Sequence, residues 1–106
     1  MEEPSVIINK DYYGLKCRNL KEIAESAFES LDNLNYIALN DGCEKICSRA
    51  FAFCFDLETV IIPSSMKYIE SDAFHRCINL KYFIVLNPDL DISNIQLPDG
   101  CKIIRG

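Results

Sequence analysis

The chain has no tryptophan, a single histidine, four glycines and four prolines in 106 residues. One histidine, His75, leaves little material for imidazole acid–base or metal chemistry. Gly14, Gly42, Gly100 and Gly106 stand far apart, so no glycine-rich loop is available to cradle a phosphate. The G-x-S-x-G, P-loop and H-E-x-x-H patterns are all missing. Basic residues are scarce: 11 Lys and Arg against 16 Asp and Glu give a net charge of −5. That balance argues against direct contact with nucleic acid and favours basic partner surfaces. No stretch approaches the ~18 apolar residues of a membrane span. Met1-Glu2-Glu3-Pro4 has the wrong charge for a secretory leader and Val6-Ile7-Ile8 is too short for its apolar core. A cytoplasmic location and no membrane contact are therefore expected.

What the chain does have is a repeat. Residues 23–45, 46–68 and 69–91 are three abutting units of equal length. Ile23, Ile46, Ile69 and Ile92 share one column. Ala27, Ala50 and Ala73 share the next, and Phe28, Phe51 and Phe74 the one after. Further columns hold Leu31, Cys54, Cys77; Leu34, Leu57, Leu80; Ile37, Val60, Phe83; and Leu39, Ile62, Val85. A single unit cannot bury such a face alone, whereas stacked units bury it as one core. At 106 residues the chain suits one domain, with 1–22 as an entry cap and 92–106 as a truncated exit cap.

Within each unit the segment 34–39, Leu-x-x-Ile-x-Leu, and its equivalents, 57–62 and 80–85, place their column residues in alternation as a half-buried strand does. Units stacked in one direction make these strands parallel. The Ala-Phe halves, such as 26–30 and 72–76, read as one or two helical turns, with Ser48 and Ser71 placed to cap those of the second and third units and Glu25 in that column of the first. Val6-Ile7-Ile8 reads as the entry strand, followed by a cap loop around Asp11-Tyr12-Tyr13-Gly14. At the exit, Ile95, Leu97, Cys101 and Ile104 repeat the spacing of Ile37, Leu39, Cys43 and Ile46. Residues 95–97 are thus expected as a last strand, with Pro98-Asp99-Gly100 turning after it and the helical half left out between Ile92 and Ile95.

The middle unit, with Ile46, Ala50, Phe51, Cys54, Leu57, Val60, Ile62 and Pro63, resembles the BspA-like leucine-rich repeat. Leu31, Asn40 and Leu86 depart from its Cys and Pro positions. The resemblance implies an α/β solenoid: a short right-handed leucine-rich-repeat stack with a parallel sheet on the concave face and short helices or 3-10 turns on the convex face. It also implies adhesion or protein recognition.

The six cysteines read as reduced thiols, since Cys54 and Cys77 fall in a core column and Cys43 aligns with Met66. Neighbouring rungs could still bring Cys54 and Cys77 within the ~4.4–6.8 Å window of a bridge. Cys43 and Cys47 with Cys17 and His75 do not make a convincing closed zinc site, and Asp89-Leu90-Asp91 lacks the spacing of a calcium loop. No metal, cofactor or catalytic residue is expected. A thiol-based activity would rest on Cys17 or Cys47.

Binding has better support. With Ile37 and Leu39 facing the core, alternation turns Tyr36 and Ala38 to the concave face, along with Thr59 and Ile61, then Tyr82 and Ile84. One line runs Ile7, Ala38, Ile61, Ile84, Gln96 and a second runs Tyr36, Thr59, Tyr82, flanked by Asn35, Glu58 and Lys81. An aligned apolar strip with tyrosines has the composition of a protein interface. The expectation is a non-catalytic module binding a protein partner there. Self-association is a structural alternative. The rival reading from size and charge is an acidic inhibitor, of the kind phages or mobile elements carry, blocking a basic site on a nucleic-acid-handling protein.

Overall fold

The computed structural model describes residues 5–9 and 14–106, with side chains from Asn19 onward. Nine strands are present among them: β1 (Ser5–Asn9), β2 (Gly14–Arg18), β3 (Glu22–Ile23), β4 (Tyr36–Ala38), β5 (Lys45–Ile46), β6 (Thr59–Ile62), β7 (Tyr68–Ile69), β8 (Tyr82–Val85) and β9 (Lys102–Arg105). Six form one sheet in the order β1-β2-β4-β6-β8-β9, and β3-β5-β7 form a second. All pairings are parallel except β1 with β2. The result is a parallel β-solenoid of about four turns.

Register confirms the repeat. Tyr36 pairs with Thr59 and Thr59 with Tyr82, each step being one full repeat. Glu22, Lys45 and Tyr68 keep the same step in the small sheet. Between the sheets lies the core, built from the repeat columns. Ile46, Ala50, Phe51, Cys54, Leu57, Val60 and Ile62 of the middle unit are all fully buried. In the first unit Ala27 is exposed and Phe28 and Leu31 are half-buried, because no earlier arm covers them.

The Ala-Phe halves are not helices, and no helix occurs among the described residues. Each arm is a run of turns, for two linked reasons. Ser30, Phe53 and Arg76 occupy one column and have φ of 60°, 60° and 62°, and a helix cannot pass through a left-handed residue. Alternate amides also leave the arm. Ala50 N–H and Ala52 N–H close local turns onto Cys47 and Arg49, while Phe51 N–H and Phe53 N–H reach the carbonyls of Ala73 and His75 in the next repeat, both at 2.8 Å. Phe28 and Ser30 do the same to Ala50 and Ala52 at 2.8 Å. A helix would use those donors internally; here they form a ladder along the stack. The expected serine cap is correspondingly absent, and Ser48 Oγ instead donates to the Asp72 carboxylate at 2.9 and 3.0 Å.

Both caps differ from expectation. Lys16, not Ile7, pairs with Ala38, so β2 is the strand equivalent to β4, and β1 folds back on it as an antiparallel edge. The expected loop at Asp11-Tyr12-Tyr13 lies outside the described residues. Asn40 explains one departure from the repeat: its side chain accepts from Leu20 N–H at 3.1 Å and donates to Leu20 carbonyl at 3.0 Å, joining the entry segment to the first turn. At the exit, 95–97 is no strand. Lys102 pairs with Tyr82 instead, and β9 takes the last place in the large sheet. The Pro98–Cys101 turn is as expected, closed by Cys101 N–H onto Pro98 carbonyl with Gly100 at φ 84°. Ile95 and Leu97 pack against the core from the other side. Arg105 fixes β9, donating to the carbonyls of Asn87, Pro88 and Leu90 at 3.3, 3.2 and 2.9 Å. No helix among the described residues is long and apolar enough to cross a membrane.

Candidate partner-binding face

The open face of the large sheet is set by strand alternation. In β4, β6 and β8 the core takes Ile37, Val60, Ile62, Phe83 and Val85, so their neighbours point the other way. Pairing places Tyr36, Thr59, Tyr82 and Lys102 in one line. It places Lys16, Ala38, Ile61, Ile84 and Ile104 in the next. The six residues read from the sequence as a site are therefore brought together: Tyr36, Ala38, Thr59, Ile61 and Ile84 are half-buried and Tyr82 is exposed.

The ends of the line need correction. Gln96 is not on it. Its backbone N–H donates to Ser71 carbonyl at 2.9 Å and its side chain meets His75 Nδ1 at 2.8 Å, on the arm side of the stack. Ile104 takes that end and is 44% exposed. Ile7 pairs with Lys16 and so stands one strand farther out than expected. Six strands at ~4.8 Å make the face about 24 Å across. Sequence reading missed Ile104 because the 95–97 spacing matched a strand; the β-branched pair in Lys102-Ile103-Ile104-Arg105 was the available signal.

Charge edges the strip. Lys81 Nζ lies 2.8 Å from Glu58 Oε1, and this exposed pair holds the Lys81 ammonium above its ordinary pKa, by hydrogen bond first and charge second. Pairs this exposed add little stability. They do fix the charge pattern beside Thr59 and Tyr82.

Cys43, Cys54 and Cys77 are buried, and Cys47, the candidate for thiol chemistry whose side chain is described, is half-exposed. Cys54 and Cys77 are free. Cys54 Sγ donates to Phe28 carbonyl at 3.3 Å and Cys77 Sγ to Phe51 carbonyl at 3.1 Å. The adjacent Cys54 thiol, then burial, push Cys77 well above the usual thiol range. Burial also pushes Cys43 and Cys101 up, away from the thiolate a nucleophile needs. Among the described residues no three His, Cys, Asp or Glu side chains are grouped to hold a metal.

Comparison with known proteins agrees with this architecture. The family described as BspA type leucine-rich repeat region (6 copies) matches residues 15–105. No curated protein and no solved structure matches the chain. The match runs from the second strand to the last, over a register that advances by one constant step from β4 to β6 to β8, and it settles the lineage: the chain belongs to the BspA type leucine-rich repeat family.

Proposed function

We propose that this protein is a non-catalytic recognition module that docks a protein partner on the open, concave face of its large sheet. Tyr36, Ala38, Thr59, Ile61, Tyr82 and Ile84 make the contact, and Ile104 extends it. The observation that carries the reading is the alignment of Ala38, Ile61, Ile84 and Ile104 across four paired strands, since scattered surface isoleucines would need no explanation. Leucine-rich repeats generally serve protein–protein interaction, which supports the same class. The acidic-inhibitor reading rests on size and net charge alone.

The test compares two baits in one pull-down: the native chain and a chain carrying Ile61→Glu, Tyr82→Glu and Ile84→Glu. The expected result is a protein retained by the first and lost by the second, with both baits melting alike. Equal retention would remove the site from this face.

Self-association is the second reading, favoured by the open edge of β9 and the exposed Ile103 and Ile104. Lys102 and Arg105 on that edge oppose pairing with a like-charged copy. The protein is accordingly expected to stay monomeric in light scattering across a wide concentration range.

A further inference from the structure

The second layer of the stack stops one arm short of the first. In the large sheet β9 continues beyond the third repeat. On the arm side, 92–98 crosses the end of the stack with no arm of its own, touching the third arm through Gln96 N–H and Ser71 carbonyl. Two cavities remain beside Gln96. One of about 300 Å³ is lined by Phe74, Arg76, Cys77, Ile78, Leu97 and Pro98 among others. A second, of about 560 Å³, lies beside Ile69, Asn94 and Ile95.

The ladder shows what the first cavity is shaped to receive. Phe28 and Ser30 give their N–H groups to two carbonyls of the second arm, and Phe51 and Phe53 give theirs to two carbonyls of the third. The corresponding donors of the third arm are Phe74 N–H and Arg76 N–H, and neither has a backbone acceptor among the described residues. They call for two carbonyls, two residues apart, on a segment that turns as the arms do. The lining adds a preference. It carries the exposed Arg76 and the half-exposed His75 and no carboxylate, in a chain of net charge −5. Exposed Ile78 gives the lining an apolar rim.

A second copy cannot supply the arm. Adjacent arms stand one strand apart. To stack the first arm of one copy on the third arm of another, the large sheet would have to skip β9 of one and the β1–β2 hairpin of the other. With those strands in place the arms sit about 19 Å apart at ~4.8 Å per strand.

We propose that this gap is a second docking site, separate from the open sheet face, for an acidic segment of a partner protein that folds as a run of turns and completes the missing arm. Its carbonyls accept from Phe74 N–H and Arg76 N–H. One apolar side chain enters the cavity between Phe74, Leu97 and Pro98, and a carboxylate pairs with Arg76. This is strand-addition logic applied to a turn ladder: main-chain bonds supply affinity and the pocket supplies specificity.

The probe is a fluorescein-labelled peptide copying residues 24–34, an arm of this family with Phe28 as its apolar residue and Glu25, Glu29 and Asp32 as its carboxylates. Its binding to the full chain is followed by anisotropy and by amide NMR shifts. The expected result is saturable binding that shifts the Phe74 and Arg76 amides. Arg76→Glu and the cavity-filling Leu97→Trp each weaken it about tenfold or more, and Ile61→Glu on the sheet face leaves it unchanged. A peptide with Glu25 and Glu29 both changed to Lys recovers binding to the Arg76→Glu protein, which separates charge pairing from misfolding. No saturation by about 1 mM, equal affinity for the native and Arg76→Glu proteins, or shifts confined to the sheet face would overturn the proposal.

Discussion

Phe51 and Phe74 stack face to face, with ring centroids 5.4 Å apart and planes 7° from parallel. Phe28 stacks on the other side of Phe51 at 5.4 Å, and Phe83 meets Phe74 edge-on at the same distance. Phe51 is fully buried between its neighbours. Truncation to Ala therefore opens a void that neither ring can fill, and is expected to cost about 3–5 kcal/mol. For a domain of this size the melting temperature should fall by about 12 °C or more. Phe55→Ala, at a ring 49% exposed, should change stability by less than about 0.5 kcal/mol. Thermal melts of the two variants check both values, and a small effect at Phe51 would contradict the ladder.

Ser48 and Asp72 link the second and third arms. Removing the hydroxyl takes a donor from a half-buried carboxylate, so Ser48→Ala is expected to cost about 1–2 kcal/mol. A double-mutant cycle with Asp72→Ala should return a coupling of about 1 kcal/mol. Additive effects would mean the two side chains do not meet in solution.

Arg105 holds β9 through three carbonyls that a lysine ammonium, a single point on a flexible stem, cannot reach together. Arg105→Lys is expected to loosen β9 locally, with amide hydrogen exchange at Lys102–Arg105 faster by about tenfold, equivalent to roughly 1.4 kcal/mol. Exchange in β6 should be unchanged. Uniform acceleration would show that β9 is part of the global folding unit.

The thiols should divide by exposure. In a Cys17→Ser background, Cys47, half-exposed, is expected to react with a disulfide reagent in the folded protein. Cys43, Cys54 and Cys77, all buried, should react only after denaturation. Thiol counting with and without urea checks this, and a fast reaction at Cys54 or Cys77 would disprove their packing.

Asp91 gives a pH-dependent readout. Ser93 N–H donates to its carboxylate at 2.9 Å and Ser93 hydroxyl at 2.7 Å. These bonds, then the nearby Arg105 charge, hold its pKa below the usual aspartate value. The folded-state pKa is the lower one. The contribution to stability is therefore present above the unfolded-state pKa and is lost as pH falls through the folded-state value. Ser93→Ala should move the Asp91 carboxyl titration upward in NMR, and an unmoved curve would remove the Ser93 hydroxyl as a cause and leave its backbone N–H.

Much of this was legible in the residues. A fixed period with seven apolar columns dictates stacking, because each unit's face is too wide to bury alone. Ile37, Val60 and Phe83 facing in implies Tyr36, Thr59 and Tyr82 facing out, since strand side chains alternate. What misled was local pattern without its partner. Ser-x-Ala-Phe resembles a short capped helix, yet its amides are claimed by the next rung. Ile95-Gln96-Leu97 has a strand's spacing, yet Lys102–Arg105 is the segment that pairs with β8 and is tied down by Arg105.

The sequence by itself determined the repeat, the core columns and the register of the middle strands, since period and polarity alone specify which face is buried. Only the tertiary structure decided the form of the arms, the identity of both end strands and the gap beside Phe74. At those places each backbone donor can choose between a local acceptor and one a repeat away, and the choice depends on whether a neighbouring rung is there to receive it.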